Sequence, residues 1–247
     1  MALFELKFLL FSIQITSTIS FYSQLWSQVQ LGNFYLEKDT LAKNFQIDSK
    51  TFCAAFCEKE YFCNIWCHDG FQICTLSSAF VSPNYVEKSK DFSNCYTRKR
   101  RDIAYLALTN SSELYEEDAE GNNSVDGIYL EGLRNEFKSK HLNKPWILFD
   151  LGKTARIFKI IMISWKSSCS RYEFRVGDSL INEDYFSSFV RYNSTNSICE
   201  EGKTMSLTPL TEMRGQYVAV LRNFGYTDRE RVAIQIDHIE IDGAFEE

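Results

Sequence analysis

Residues 147–163 read ILFDLGKTARIFKIIMI, and this stretch decides the fold class of the chain. It contains two segments rich in β-branched and aromatic residues, 147–152 and 158–163, each of which is predicted to be a short strand. Three further segments are rich in β-branched and aromatic residues: 172–177, 217–220 and 233–241. The first and the last also alternate apolar with polar positions, as half-buried antiparallel strands do. Because no amphipathic helix pattern separates them, residues 102–247 are predicted to form a β-sandwich in a mainly β protein.

Length and charge limit the classes of function. The chain has 247 residues, enough for one large domain or two ordinary ones, and 15% of them are aromatic. Its formal net charge of −6 argues against general nucleic-acid binding, which needs a basic surface that neutralises phosphates. We therefore expect a folded protein with a packed core and no nucleic-acid partner.

Residues 1–20 have the layout of a secretory signal peptide. Lys7 precedes a short apolar run, FLLFSIQI at 8–15, and Thr18 and Ser20 supply small residues at the −3 and −1 positions. The run is shorter than the ~20 apolar residues that a membrane span needs, although a buried N-terminal strand is an alternative. No later segment resembles a transmembrane helix or a lipid-anchor tail, so we expect a soluble, extracellular protein.

Eight cysteines support this location, with six in one cluster and Cys169 and Cys199 lying apart. An even number of cysteines in a secreted chain predicts disulfides, which stabilise modules too small for a large core. Zinc held by Cys63, Cys67 and His68 is the alternative, but the spacings do not form two Cys-x-x-Cys knuckles. Cys169 and Cys199 are predicted to pair with each other, and closing a loop of this size contributes on the order of 3 kcal/mol.

Three Asn-x-Ser/Thr sequons occur, at Asn110, Asn122 and Asn193. Each lies in a polar stretch that is typical of a surface loop, where a glycan is tolerated. We expect these three asparagines to be glycosylated if the chain is secreted, and together with the signal peptide they support secretion.

Residues 21–97 are predicted to form a small α+β module. Cys53 and Cys57 would share one face of a short helix, with Asp48 or Ser49 as its cap. The pattern Cys-Ala-x-x-Cys-x5-Cys at 53–63, with Cys-x-Leu at 74–76 and Cys-Tyr at 95–96, resembles the PAN/apple family, whose modules bind proteins or glycans. This resemblance implies the disulfides Cys53–Cys74 and Cys57–Cys63, which leaves Cys67 to pair with Cys95.

The basic run at 98–101, Arg-Lys-Arg-Arg, separates the two cysteine groups. We interpret it as a linker between the two domains. It is either a solvated basic segment or a processing site, because Arg-x-Lys/Arg-Arg suits the acidic pockets of furin-like convertases. Cleavage after Arg101 would separate the domains, since no predicted disulfide crosses the linker.

Four segments of the second domain, in order, resemble the fucolectin (eel-type) branch of the discoidin, or coagulation-factor type C, fold. They are VDG at 125–127, PWILFDLGKT at 145–154, FRVGDS at 174–179 and RGQYV at 214–218. The resemblance implies a galactose-binding-like jelly-roll sandwich. It also implies that loops at one end bind fucose-type sugars, with a calcium ion nearby.

The family's sugar site combines an imidazole with two cations, because charged donors form strong, oriented hydrogen bonds to neutral hydroxyls. The resemblance places His141, Lys166 and Arg171 in these roles. Lys166 stands where the family has arginine, and lysine lacks the planar fork of that side chain. Ser168 stands where the family has the aspartate that orients the cation.

Calcium prefers six to eight hard oxygen ligands, some of them backbone carbonyls. Asn123 and Asp126 match two of the family's calcium ligands by position, and Glu240 matches a third. Ile128 stands where the family often has asparagine, which removes one side-chain oxygen. The acidic run at 116–120 is interpreted as solvated surface and not as a set of ligands.

Together these features predict a secreted, non-enzymatic recognition protein that binds fucose- or galactose-type carbohydrate with calcium support. Extracellular glycans or glycoproteins are the expected partners, and association into an oligomer is left open. The alternative is a protein-interaction or adhesion module with a degenerate sugar site, because a fold alone does not fix function. No nucleophile elbow, His-Glu-x-x-His motif or phosphate loop occurs, so we expect no enzymatic activity.

Overall fold

The computed structural model describes residues 25–131, 133, 136–164, 172–180, 186–194, 204–209, 211–222 and 232–247. The chain divides into two compact units, Met1–Arg100 and Arg101–Glu247. Strands predominate in both, and the larger unit is a β-sandwich, as the sequence predicts. In the described part of the chain, no helix is both long enough and apolar enough to cross a membrane.

The first unit is an antiparallel sheet with a helix packed on it. Its sheet has the strand order β1-β6-β3-β4-β2, and α2 packs against β3 and β4. The elements are β1 (Trp26–Gly32), α1 (Asn33–Lys38), β2 (Lys43–Gln46), α2 (Lys50–Lys59), β3 (Ile65–His68), β4 (Ile73–Ser77), β5 (Phe80–Val81) and β6 (Phe92–Arg98).

Helix α2 carries the predicted cysteine face. Cys53, Ala54 and Cys57 are its buried residues, because positions three and four apart lie on one side of a helix. Ser49 is the N-cap, in extended conformation, but its side chain makes no capping hydrogen bond. Ser49 therefore occupies the predicted N-cap position without the hydrogen bond that a capping side chain usually makes.

Three disulfides tie the elements of the first unit together. Cys53–Cys74 joins α2 to β4, Cys57–Cys63 closes the end of α2, and Cys67–Cys95 joins the neighbouring strands β3 and β6. These are the pairs that the PAN/apple resemblance implies, although membership of that family stays a prediction. Because Cys63 and Cys67 are oxidised, they cannot serve as zinc ligands.

The apolar core of the first unit is built around Trp66. Its ring stacks on Tyr96 with centroids 4.2 Å apart and meets the edge of Trp26 at 5.8 Å. The half-cystines at 53, 57, 63 and 74 pack into the same cluster. Disulfides and aromatic rings thus share the small core, which is how a module of this size is stabilised.

The basic run at 98–101 is not a separate linker in the structure. Arg98 ends β6, and its guanidinium pairs with Glu58 at 3.0 Å. Arg100 donates to the carbonyl of Val81 at 2.7 Å and stacks on the Phe80 ring. The boundary between the two units falls between Arg100 and Arg101, so the run belongs to the ends of both units. Arg98, Lys99 and Arg101 are nevertheless exposed.

The second unit contains a seven-stranded antiparallel sheet with the path β12-β11-β14-β10-β13, to which β7 and β16 add by pairing with β10. Its elements are β7 (Leu108–Ser111), a 3₁₀ helix (Gly121–Val125), β8 (Ile128–Tyr129), β9 (Phe137–Lys138), β10 (Trp146–Ile163), β11 (Tyr172–Gly177), β12 (Val190–Ser194), β13 (Thr204–Leu207), β14 (Met213–Arg222), β15 (Gln235–Ile236) and β16 (His238–Phe245).

The two strands predicted within 147–163 are a single strand, β10. Its register with β14 shifts between Asp150 and Ala155, where Gly152 adopts a positive φ of 77° and donates to Asp150. The register shift is therefore a β-bulge at Gly152, and the strand continues after it. Strands β14 and β13 pair along one edge of β10, and β7 and β16 pair along the other.

The main core lies on one face of this sheet. Its central side chains are fully buried aromatic and branched residues from at least six elements. A smaller cluster covers the other face of β10 and β14, where Phe186 and Phe189 pack on Leu148 and Leu221. Both faces of the central strands are therefore covered, and binding groups are left to the loops and short strands around them.

Candidate functional site

A cavity of about 430 Å³ opens among the loops and short elements of the second unit. This volume falls within the range of about 300–1,000 Å³ typical of small-ligand sites. We call it the acidic cavity, because five of its lining residues carry carboxyl groups. Its lining residues are Tyr115, Glu116, Asp118, Ala119, Asn123, Tyr129, Glu131, Leu133, Glu136, Lys138 and Asp237.

Backbone and side-chain hydrogen bonds hold the walls of the acidic cavity together. Tyr115 N–H donates to the carbonyl of Lys138 at 3.0 Å, and Lys138 N–H donates to Ala119 at 3.3 Å. The Asn123 amide donates to the carbonyl of Asp118 at 2.6 Å and to that of Glu136 at 3.4 Å. The segment before the 3₁₀ helix is thereby fixed against β9, so the cavity is formed by positioned backbone.

Two tyrosines provide aromatic surface in the acidic cavity. Tyr115 is 46% exposed, and Tyr129 is half-buried. The Lys138 ammonium lies 3.9 Å from the centroid of the Tyr115 ring, a cation–π distance. One face of the Tyr115 ring is therefore already used by an ammonium that belongs to the cavity wall.

The carboxyl groups of the acidic cavity differ in burial. Glu116, Asp118 and Glu131 are exposed. Glu136 is half-buried and accepts from the Gln235 amide at 2.6 Å, whereas Asp237 is only 5% exposed. The cavity thus presents acceptors at its rim and deeper in its wall.

His141, the sugar-binding imidazole implied by the resemblance, is exposed and follows β9 in the same segment as Lys138. The segment is held by Lys140 N–H, which donates to Glu113, and by paired backbone hydrogen bonds between Leu142 and Val232. His141 lies outside the set of residues that line the acidic cavity. Lys166 and Arg171 fall outside the described residues, so their positions relative to His141 are not defined.

The proposed calcium ligands occupy three different settings. Asn123 lines the acidic cavity, and Asp126, after the 3₁₀ helix, accepts from Ile128 N–H at 3.1 Å. Glu240 is 1% exposed in β16, with Oε1 3.4 Å from Nε2 of His238. Among the described residues, no three His, Cys, Asp or Glu side chains form a group that could hold a metal ion.

The sequence predicts that all three sequons lie in surface loops, but the structure places them in regular elements. Asn110 is exposed on β7, Asn122 is exposed in the 3₁₀ helix, and Asn193 belongs to β12. A polar stretch can pair as a strand while a polar side chain faces solvent, as that of Asn110 does on β7. Cys169 and Cys199, the remaining predicted disulfide, lie outside the described residues.

Sequence reasoning assigned no role to the acidic cavity. The sequence predicts that the run at 116–120 is solvated surface. Glu116 and Asp118 are exposed, and both also line the cavity. Tyr115 directly precedes this run, and an aromatic side chain beside hydrogen-bond acceptors is common in binding sites. This neighbouring pair of features could have indicated a binding site. Tyr129, Glu136 and Asp237 come from segments too distant in sequence to be grouped with it.

No family model matches the chain, and neither does any curated protein sequence. A fucolectin from the serum of Morone saxatilis (striped bass) aligns at 17% identity and a TM-score of 0.49, over 72% of this chain and 59% of that one. A Streptococcus pneumoniae fucose binding module aligns at 18% identity and 0.45, over 58% and 95%. Chitosan-binding module 1 of a Paenibacillus sp. IK-5 chitosanase/glucanase aligns at 14% and 0.45, over 57% and 98%. These values describe a distant similarity of fold.

Proposed function

We propose that this is a secreted, non-enzymatic recognition protein whose second unit binds carbohydrate. The observation that carries the proposal is the acidic cavity, with two tyrosine rings beside oxygen and nitrogen groups. A sugar ring has apolar C–H faces and a rim of hydroxyls. It therefore matches a concave site that offers both aromatic surface and hydrogen-bonding groups.

The rigidity of the cavity supports the same conclusion. The wall between Tyr115 and Lys138 is hydrogen-bonded on both sides of the 3₁₀ helix, so little ordering is needed when a ligand binds. A site that is formed before binding loses less conformational entropy, which favours weakly interacting ligands such as sugars.

The finer proposal concerns the kind of sugar and the support from calcium. Fucose- or galactose-type glycans would contact His141, with Lys166 and Arg171 as the cations. Calcium would be held near Asn123, Asp126 and Glu240, with backbone carbonyls completing its shell. Both statements derive from the sequence resemblance, and His141 supports the first by being exposed beside the segment that lines the cavity.

A glycan array, probed with the full chain with and without calcium, tests the proposal. We expect bound glycans whose signal falls about tenfold or more in Tyr115→Ala, because the aromatic face is lost. Tyr61→Ala is the matched control, since Tyr61 is 95% exposed in the first unit. If the wild-type protein binds no glycan, the carbohydrate-binding role is wrong.

His141→Ala separates the finer proposal from the general one. Loss of binding to fucose- or galactose-type glycans in this variant supports the site implied by the resemblance. Unchanged binding would show that His141 does not contact the glycan, and it would leave the proposal that the acidic cavity binds carbohydrate intact. A thermal shift of the wild-type chain on adding calcium, absent in Asp126→Asn, tests the calcium ligands.

The second candidate is a protein-interaction module. Several large apolar side chains of the first unit are exposed, with Phe71 at 81% and Tyr61 at 95%. Aromatic side chains are enriched at protein interfaces, so Phe71 and Tyr61 are candidate contacts for a protein partner. Capture of an extracellular protein that competing sugar does not displace, and that Phe71→Ala weakens, would favour this function over carbohydrate binding.

A further inference from the structure

We propose that the acidic cavity selects glycans that carry free amino groups over neutral or N-acetylated ones. This inference rests on the proposed function, since it names the class of sugar bound at the same site. It is carried by the charge of the cavity lining and by the ammonium that the lining already holds.

Carboxyl groups outnumber cations among those lining residues that the structure describes. The described lining residues include five carboxyl side chains and a single ammonium, that of Lys138. A concave surface lined by one sign of charge concentrates counter-ions, so the cavity attracts cations before any specific contact forms.

Lys138 shows how such a cation would be held. Its ammonium lies 3.9 Å from the Tyr115 ring centroid, inside a wall that also contains carboxyl groups. A primary ammonium over an aromatic face is stabilised by the negative face of the ring. An amino group on a sugar is also a primary ammonium when protonated, and the second ring, Tyr129, lies in the same lining.

A neutral sugar would gain less from this cavity. When it displaces water, it partly desolvates the half-buried Glu136 and the buried Asp237 without bringing a compensating charge. A protonated amino sugar supplies that charge while its hydroxyls use the same acceptors. The expected advantage of the amino sugar is therefore electrostatic.

Isothermal titration with two oligomers of equal length tests this difference. A glucosamine tetramer carries free amines, whereas the N-acetylglucosamine tetramer has the same backbone without the charge. We expect the full chain to bind the free-amine tetramer at least about tenfold more tightly. This preference should shrink as salt is raised, because exposed charges are screened.

Charge-neutral variants locate the effect. Asp118→Asn and Glu131→Gln, both in exposed lining residues, should each weaken the free-amine tetramer by about threefold or more. The acetylated tetramer uses the same acceptors but brings no charge, so each variant should weaken its binding less than that of the free-amine tetramer. Glu117→Gln is the matched control, because Glu117 is exposed in the same acidic run but does not line the cavity.

The outcomes separate this inference from the function on which it rests. Equal or tighter binding of the acetylated tetramer, or of neutral array glycans, overturns the amine preference and leaves carbohydrate binding intact. Equal loss in Glu117→Gln, or equally tight binding of spermine, shows general attraction of cations and also overturns it. If no glycan of any kind binds, the proposed function itself fails.

Discussion

Asp39 and Ser77, far apart in sequence, are joined by a 2.6 Å hydrogen bond from the serine hydroxyl to Oδ2 of the carboxylate. The same carboxylate accepts from the N–H and the hydroxyl of Ser78 and from the N–H of Leu41. Asp39 is almost completely buried, and its two carboxylate oxygens together accept four hydrogen bonds. The turn after α1 is thereby fixed to the end of β4.

Replacing this carboxylate should destabilise the first unit. Asp39→Asn keeps the size of the side chain but replaces one acceptor oxygen with an NH₂ group that faces donors. We expect a loss of about 1–3 kcal/mol in the free energy of unfolding, measured by urea titration of the full chain. The exposed Asp48→Asn is the control, and an equal loss there would contradict the assignment.

Glu87 should make stability depend on pH. Burial raises its pKa, but the N–H groups of Ser89 and Gly32 outweigh this, and the net pKa lies below its usual 4.5. A lowered pKa in the folded state gives stabilisation that is complete above the unfolded value and lost as the pH falls through the folded one. Below pH 4.5, wild type should lose more stability than Glu87→Gln in parallel urea titrations.

The basic run at 98–101 should resist convertases in the native protein. A convertase binds an extended, accessible chain, whereas Arg98 ends β6 and Lys99 N–H donates to Leu25 at 2.7 Å. We expect native protein incubated with furin to remain one band on a reducing gel. The reduced, denatured chain should be cut there, and equally fast cleavage of both forms would disprove the protection.

Gly215 should not tolerate a side chain. A Cβ at this position would lie 2.6 Å from a methyl carbon of Val176 and 2.8 Å from the carbonyl oxygen of Gly177. Since backbone cannot move as easily as a side chain, Gly215→Ala is expected to cost about 1–3 kcal/mol. A lowered melting temperature with an unchanged far-UV spectrum would support this reason for the glycine in RGQYV; an unchanged melting temperature would refute it.

The sequence predicted those parts of the molecule that depend on local pattern. Alternation of apolar residues located the strands of the second unit, and the i, i+4 spacing of Cys53 and Cys57 located the buried face of α2. The continuity of β10 was missed because the polar residues after Gly152 look like a turn, whereas pairing with β14 and β16 keeps the backbone extended.

The acidic cavity could not be predicted in the same way. Its tyrosines and carboxyl groups come from the segment before the 3₁₀ helix, from the residues around β8 and β9, and from Asp237 between β15 and β16. Their proximity depends on how these segments pack, and no spacing in the sequence records it. The family resemblance assigns His141 a role in sugar binding, and that role stays a prediction, since His141 is not among the residues that line the acidic cavity.

The pairing of β10 with β16 means that the larger sheet cannot be complete until nearly the whole chain has been synthesised. Both edges of β10 are completed by strands that the ribosome makes later, β16 among the last, so the larger sheet closes only near the end of translation. The smaller sheet is complete once β6 has emerged, and its three disulfides can form while the rest of the protein is still being made.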